Sequence, residues 1–266
     1  MLGRSALRAS LIGSVFSARP MSTGSDWRTR VRQPDCPSRW PYSDADFQRI
    51  DESSDLEFYA PPRLVHHIDD GCRAALAAYY DDVLPSKSAT PLSAIKVLDL
   101  CSSWVSHLPA RLDDKKQYHV LGLGMNAREL AANEQLSRWL VKDLNQDASL
   151  PVETAENESF DAAICSVSID YLVRPREILR EIGRLLKKGS SVHLAFSNRM
   201  FATKVVGRWL RISEDERCQM VADYLHFATN SQGDPIFANV EIVTVIPKEG
   251  WGSSDPLWVI RATKRT

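Results

Sequence analysis

Side chains that can bind a polar ligand recur in this sequence directly after short apolar stretches. VLDLCSSW reads as a buried strand that ends in a carboxylate, Asp99, and runs into a turn. A cofactor-binding turn usually carries glycines, which let the backbone approach the ligand closely. Here small polar residues take their place: Cys101, Ser102 and Ser103. The stretch therefore predicts a cofactor loop with an altered turn.

The elements around this loop alternate between strand and helix patterns. Short apolar strands are predicted at 94–100, 118–124, 139–144, 160–167 and 191–197, with helices through WVSHLPARL, from Asn126 and from Pro175. Such alternation predicts a mostly parallel sheet with helices on both faces. Ligands bind at the carboxyl ends of such strands, so the residues that follow each strand are the candidate site.

The flanking regions have different patterns. Three prolines between residues 26 and 60 predict an irregular surface segment, and the stretch from Pro61 to Tyr80 predicts a helix that leads into the domain. After a helical region at 202–227, IFANVEIVTVIP and DPLWVIRATK predict an antiparallel hairpin at the sheet edge. The domains expected are thus the irregular segment at 26–60 and one α/β domain at 61–266.

Residues 61–266 resemble the class I S-adenosylmethionine-dependent methyltransferases, especially the type 11-like branch. The motifs that carry the resemblance are VLDL, VLGLGMN, DLNQDASLPVETAENESFDAAICSVSIDYL and REILREIGRLLKKGSSVHLAFSNR. They also resemble a subgroup in which DLCSSW, GLGMN and FSNR occur together. The resemblance implies a Rossmann-like α/β fold with a seven-stranded sheet, mostly parallel with an antiparallel C-terminal hairpin, and S-adenosyl-L-methionine as cofactor.

The resemblance also implies a role for each residue that follows a strand. Asp99 would contact the ammonium group of the cofactor's methionine end, and the backbone at 101–103 would pass under the adenosyl group. Asp143 and Leu144 would flank the adenine, although Asp143 is equally suited to capping the following turn. The segment from Cys165 to Ser168, with Ser166 among its candidate contacts, would form the floor beneath the methyl group, and Asp170 and Tyr171 would lie at its rim. Tyr59, Arg63 and His67 would fold over the cofactor as a lid.

Two positions depart from the family pattern. The loop after Asp99 lacks glycine, and Trp104 within it is expected to pack into the core rather than stack on the cofactor. Gly124 stands where the family has the acidic residue that binds both ribose hydroxyls. Asn126 could make one ribose hydrogen bond, but with Glu129 three residues later it fits a capping box, which is the role we expect.

Candidates for catalysis are few, because methyl transfer depends mainly on alignment and the exclusion of water. His226 and Tyr171 are the candidates for a base, and a packed histidine explains His226 equally well. Arg199 suits an anionic group on a substrate or a surface ion pair. His66 and Asp70 lack a third ligand in the sequence, so no metal site is predicted.

Composition excludes several other classes. The formal net charge is -1 and no block of basic residues occurs, so nucleic acid is not an expected partner. The five cysteines form no zinc or disulfide spacing, and no apolar run approaches the length of a membrane span. The partner expected is a methyl acceptor, either a small molecule or a protein.

The first 25 residues contain three arginines and six serines but no acidic residue. This composition is typical of a transit peptide, and the recurring arginines favour a mitochondrion over a plastid. A disordered tail that lacks acids is the alternative.

Two functions are compatible with these residues. Asp99, Asp143 and the LP…FD segment favour an S-adenosylmethionine-dependent methyltransferase with an unknown acceptor. The altered loop and Gly124 favour a catalytically silent methyltransferase-like protein that serves in assembly or interaction.

Overall fold

The sheet at the centre of the protein has eight strands. The computed structural model describes residues 27–86, 94–150, 156–247 and 254–266. The strands in chain order are β1 (Trp27–Arg32), β2 (Ile95–Leu100), β3 (Tyr118–Gly124), β4 (Arg138–Val141), β5 (Phe160–Ser166), β6 (Leu186–Phe196), β7 (Phe237–Pro247) and β8 (Leu257–Lys264). Their spatial order is β1-β7-β8-β6-β5-β2-β3-β4.

The five strands from β2 to β6 are parallel, and β1, β7 and β8 add three antiparallel pairings at one edge. From β2 the chain proceeds through β3 to β4 on one side and then returns to β5 on the other. This reversal puts the topological switch point between β2 and β5, where open α/β sheets bind ligands. The predicted mixed sheet with an antiparallel C-terminal pair is therefore confirmed.

Within the described ranges, five α-helices accompany the sheet: α1 (Asp55–Phe58), α2 (Asp70–Val83), α3 (Ala127–Ala132), α4 (Pro175–Leu185) and α5 (Glu214–His226). The side chains of α4 and α5 pack with one face of the sheet, and those of α2 pack with the other. Apolar side chains on both faces of β5 are fully buried, which explains its near-continuous apolar sequence. The prediction of helices on both faces is confirmed.

The helix α4 shows why some elements follow from sequence alone. Pro175 occupies its first turn, and Ile178, Leu179 and Ile182 form its buried face. The chain then enters β6 directly from Leu186, five residues before the predicted start.

Three predictions about elements are wrong. Residues 26–60 are not wholly irregular, because β1 pairs antiparallel with β7, with Arg30 opposite Thr244, and so adds an eighth strand. The predicted helix from residue 61 begins only at Asp70, with Asp69 as its N-cap. No helix runs through WVSHLPARL, where only Ala110–Asp113 form a 3₁₀ turn.

Two further predictions fall outside the described residues: the targeting segment at 1–25 and the turn KEGWGSS between β7 and β8. None of the helices in the described part of the chain is long and apolar enough to cross a membrane.

Candidate active site

A cavity of about 300 Å³ lies at the carboxyl ends of the strands around the switch point. Its volume is at the lower end of the range for small-molecule sites. All nine residues predicted to contact a cofactor line it: Asp99, Cys101, Ser102, Ser103, Gly124, Asn126, Asp143, Leu144 and Ser166. The sheet therefore brings residues from four loops together in one place.

Asp99 is the most buried acidic side chain of this cavity, with 1% of its surface exposed. Its Oδ2 accepts hydrogen bonds from the hydroxyls of Ser102 and Ser106, each at 2.6 Å. Burial raises the pKa of Asp99 to about 7, although these two hydrogen bonds act in the opposite direction. The carboxyl group is thus poised between its two protonation states at neutral pH.

The loop after β2 reaches the end of β3 without a glycine of its own. Cys101 takes the left-handed conformation, with a φ of 54°, and the Ser102 N–H donates to the Leu123 carbonyl at 2.6 Å. A Cβ at Gly124 would lie 2.0 Å from the Ser102 carbonyl oxygen. The close backbone approach therefore relies on the glycine at the end of β3, and this same approach excludes any side chain at 124.

Asn126 caps α3, as the sequence predicts. Its Oδ1 accepts from the N–H groups of Arg128 and Glu129, and its Nδ2 donates to the carbonyls of Tyr59 and Ala60 at 2.9 Å. Both ends of the amide are therefore engaged within the protein. This occupancy argues against Asn126 as the group that replaces the family's ribose-binding acid.

The Glu129 side chain does not complete the predicted capping box. Its Oε1 accepts from the Arg63 N–H at 2.6 Å and its Oε2 accepts from the Ser103 hydroxyl at 2.5 Å. Glu129 also lines the cavity. It therefore joins α3, the loop after β2 and the segment before α2 at the edge of the site.

On the adenine side predicted by the resemblance, Asp143 also has a structural role. Its Oδ1 accepts from the N–H groups of Asn145 and Gln146, at 2.9 and 3.2 Å, which caps the turn after β4. Leu144 is 5% exposed and contributes apolar surface. At the end of β5, the Ser166 hydroxyl hydrogen-bonds that of Tyr80 at 2.9 Å.

The segment before α2 forms one wall of the cavity, although it is not helical. Tyr59, Arg63 and His67 all line the cavity. The Arg63 guanidinium lies 5.3 Å from the ring centroid of Phe201, which follows β6, and the His67 ring contacts the same side chain. The predicted lid residues thus bridge the cavity from the β3 side to the β6 side.

Trp104 packs in this wall and not in the core, so that prediction is wrong. Its ring stacks on His66 with centroids 4.6 Å apart, and its Nε1 donates to the Val65 carbonyl at 3.1 Å. The apolar residues around Trp104 have helical spacing, but the chain is irregular there and the Ser106 hydroxyl donates to Asp99.

A buried charge network holds this wall in place. Asp55 is 6% exposed, lines the cavity and forms ion pairs with Arg49 at 2.8 Å and with the fully buried Lys204 at 3.3 Å. Burial by itself would raise the pKa of Asp55, but hydrogen bonds from Arg49 and Asn145 outweigh it and hold the pKa below its usual value. The network connects α1, the loop after β4 and the loop after β6.

Replacement of Asp55 by Ala is expected to destabilise the protein by about 3–5 kcal/mol, because it leaves the charges of Arg49 and Lys204 buried without their main partner. Urea unfolding measures the loss. The control is Asp215→Ala, which breaks the exposed pair with Arg32 and should cost less than about 1 kcal/mol. Equal losses in the two variants would contradict the role assigned to the network.

The two predicted base candidates differ in position. The Tyr171 side chain lines the cavity, and its hydroxyl accepts from the Phe201 N–H at 2.8 Å. Burial raises the pKa of Tyr171 far above its usual value, so the phenol is not a base at neutral pH. His226 lies at the end of α5 outside the cavity lining, 3.8 Å from Asp223, and the prediction that it is a base is not supported.

The structure gives Asp170 and Arg199 different surroundings from the substrate contacts predicted for them. Asp170 is 3% exposed and does not line the cavity, so the rim position expected for it is wrong. Arg199 does line the cavity, but its Nε pairs with Asp255 at 2.9 Å, which is the surface ion pair that the sequence left open.

Several residues that line the cavity were not predicted from the sequence as site residues: Asp55, His107, Glu129, Lys142, Met200 and Phe201. For Glu129 the signal was present, because an acid one turn into the helix after β3 can reach the site that an acid at 124 would serve. No local sequence pattern predicts that Asp55 and Phe201 line the cavity. In the described ranges, no group of three or more His, Cys, Asp or Glu side chains is arranged to hold a metal.

The comparisons with known proteins agree with this geometry. Residues 103–194 match a family model described as a methyltransferase domain. The sheet order and the cavity at the switch point define a Rossmann-like α/β protein, which is the fold that such a domain has. This part of the chain is similar to S-adenosylmethionine-dependent methyltransferases of class I. A sequence comparison with curated proteins gives no match.

The solved structures that this chain is similar to are distant in sequence. The CurJ carbon methyltransferase is 14% identical with a TM-score of 0.50, over 79% of this chain and 57% of that one. A TehB-like methyltransferase from Corynebacterium glutamicum is 17% identical with a TM-score of 0.43, over 72% and 88% of the two chains. An S-adenosylmethionine-dependent methyltransferase from Mesorhizobium loti is 14% identical with a TM-score of 0.43, over 71% and 98%. At 14% identity and a TM-score of 0.50, the likeness to the CurJ carbon methyltransferase shows the fold alone.

Proposed function

We propose that this protein binds S-adenosylmethionine in the cavity at the switch point and transfers its methyl group to an acceptor. The observation that carries the proposal is the convergence of all nine candidate cofactor residues on one cavity, with the buried carboxyl of Asp99 within it. The acceptor is a small molecule or a side chain of a protein.

The cavity has the donor and acceptor groups that this cofactor needs. Asp99 offers a carboxylate to an ammonium group, and the small residues Cys101, Ser102 and Ser103 line the cavity beside it. Asp143 and Leu144 offer a polar and an apolar contact to a purine. These groups fit the cofactor, since a zwitterionic amino acid and a nucleoside require this mixture of contacts.

Bound S-adenosylmethionine would supply an electrophilic methyl group on a sulfonium. The contribution of the chain is to align the acceptor with that group and to exclude water. The residues that would surround the methyl group and the acceptor all line the cavity: Tyr59, His67, Ser166, Val167 and Ser168.

A side chain that could accept a proton lines the same cavity as Asp99. Burial lowers the pKa of His67, so its ring is neutral at pH 7 and keeps a lone pair. His67 lines the cavity and packs against Phe201. We assign to this histidine, rather than to His226, the task of taking a proton from an acceptor that must lose one.

A calorimetric and thermal-shift titration with S-adenosylmethionine and S-adenosylhomocysteine tests the proposal. A ligand at about 1,000 times its Kd should stabilise the protein by about 4 kcal/mol and raise Tm accordingly. ATP, which shares the adenosine but has no amino acid, is the matched ligand and should shift Tm far less. Absence of any shift with both sulfur ligands at millimolar concentration would contradict the proposal and leave a silent methyltransferase-like protein.

A further inference from the structure

The cavity lacks an acidic residue at the end of β3, and the structure explains why none can stand there. A Cβ at Gly124 would lie 2.0 Å from the Ser102 carbonyl oxygen and 3.1 Å from its carbon. Backbone atoms cannot move aside as a flexible side chain can. Any carboxylate that serves this part of the site must therefore come from another element.

Glu129 is placed to supply that carboxylate. It lies on α3, the helix that follows β3, and it lines the same cavity as Gly124. Its two oxygens accept from the Arg63 N–H and the Ser103 hydroxyl, which are both neutral donors. Among the described residues it forms no ion pair, whereas the other helix-borne acid of the lining, Asp55, is neutralised by Arg49 and Lys204.

A carboxylate held by two neutral donors keeps both its charge and further acceptor capacity. Each carboxylate oxygen has two lone pairs, and each Glu129 oxygen has one protein partner. Two adjacent hydroxyl groups on a ligand can therefore donate to the pair of oxygens, and hydrogen bonds to an ionised acceptor are the strong ones.

The neutral candidate that the sequence offered for this role, Asn126, is already engaged. Its amide oxygen caps α3 and its amide nitrogen binds the carbonyls of Tyr59 and Ala60. It has no free donor or acceptor to spare for a diol without breaking the cap. The geometry thus favours the helix-borne acid over the amide.

We propose that Glu129 binds the ribose hydroxyls of the cofactor, in place of an acid at the end of β3, and ties the covering wall to the bound ribose through the Arg63 N–H. The inference rests on the proposed function, because it requires a nucleoside in the cavity. It assigns ribose binding to a residue in the first turn of α3 and not to position 124 at the end of β3. The cavity could then bind the cofactor although residue 124 is a glycine.

The test is calorimetric titration of S-adenosylhomocysteine and its 2′-deoxy analogue into the wild type and Glu129→Gln. Glutamine can keep both internal contacts, because its oxygen can accept from the Arg63 N–H and its nitrogen can donate to the Ser103 hydroxyl. The variant should lose at least about 10-fold in affinity for S-adenosylhomocysteine. The loss for the 2′-deoxy analogue should be clearly smaller, which would show that the effect depends on the ribose hydroxyl.

Glu134→Gln is the matched control, since it removes an exposed negative charge just after α3 and should leave both affinities within about twofold. Equal losses for the two ligands in Glu129→Gln would overturn the inference and leave Glu129 as a tie between loops. No loss for either ligand would overturn it as well. Failure of the wild type to bind S-adenosylhomocysteine would instead overturn the proposed function.

Discussion

Replacement of Asp99 by Asn is expected to abolish binding of S-adenosylhomocysteine and, at the same time, to stabilise the unliganded protein above pH 7. Binding is lost because the amide has no charge to offer an ammonium group. Stability is gained because ionising this buried carboxyl is unfavourable, whereas an amide stays neutral and its oxygen can still accept from Ser102 and Ser106. Urea unfolding at pH 8 and calorimetric titration measure the two effects.

The sign of the pH dependence follows from the raised pKa of about 7. An Asp carboxyl in the unfolded chain has a pKa near ~3.9. The folded protein therefore binds a proton more tightly at Asp99. The stability that this proton contributes is fully present below about pH 4 and is lost as the pH rises through 7. The loss is on the order of 2–4 kcal/mol in the wild type and absent in Asp99→Asn.

Ligand binding should show the opposite dependence. An ammonium group requires the ionised carboxylate, so the affinity for S-adenosylhomocysteine should fall by up to about 10-fold for each pH unit below 7. Titrations at pH 6 in two buffers of different ionisation enthalpy should reveal the release of close to one proton per ligand bound.

Asp170 provides a matched control, because burial also raises its pKa to about 7 but it lies outside the cavity lining. Asp170→Asn should gain stability at pH 8 as Asp99→Asn does, yet keep its affinity for S-adenosylhomocysteine. If both variants lost binding equally, Asp99 would be acting through the fold and not through contact with the ligand.

Replacement of Gly124 by Asp, which would install the acidic residue typical of the superfamily, is expected to damage the protein rather than improve its site. The new Cβ would meet the Ser102 carbonyl at 2.0 Å and force apart the loop after β2 and the end of β3. Overpacking against backbone should cost at least about 3 kcal/mol, and affinity for S-adenosylhomocysteine should fall. Urea unfolding and calorimetry check both statements.

Gly122→Ala is the control for this strand. Its Cβ would meet the Leu136 methyl groups at 2.6 and 2.9 Å, which are the ends of a flexible side chain and can move. We expect a cost of about 1–2 kcal/mol and retained ligand affinity. A Gly124→Asp variant that folds normally and binds more tightly than the wild type would refute the explanation for the missing acid.

Much of the sheet could be predicted because its signals are local. The strand YHVLGLG has the observed bounds of β3, and α4 begins at the predicted Pro175. Strands covered on both faces require continuous apolar runs, and a helix on one face requires apolar residues at helical spacing. Both patterns can be recognised without knowing the rest of the fold.

The predictions that failed depend on partners distant in the chain. The strand β1 forms because its backbone pairs with β7, which follows more than 200 residues later. The helix expected around Trp104 does not form because Ser106 donates to Asp99, and Asn133 donates to the Ser103 carbonyl and the Ser106 hydroxyl. Helical spacing of apolar residues does not report such contacts.

The sequence by itself determined the class of fold, the edge of the sheet that carries the site and most of the residues that line it, because each depends on residue type at a strand end. Only the tertiary structure decided how the site is built without glycines in the loop after β2 and without an acidic residue at position 124. The contact between the Ser102 carbonyl and Gly124, and the approach of Glu129 to Ser103, arise when two neighbouring parallel strands bring their following loops together. Distances between loops are set by strand pairing, and no pattern along the chain encodes them.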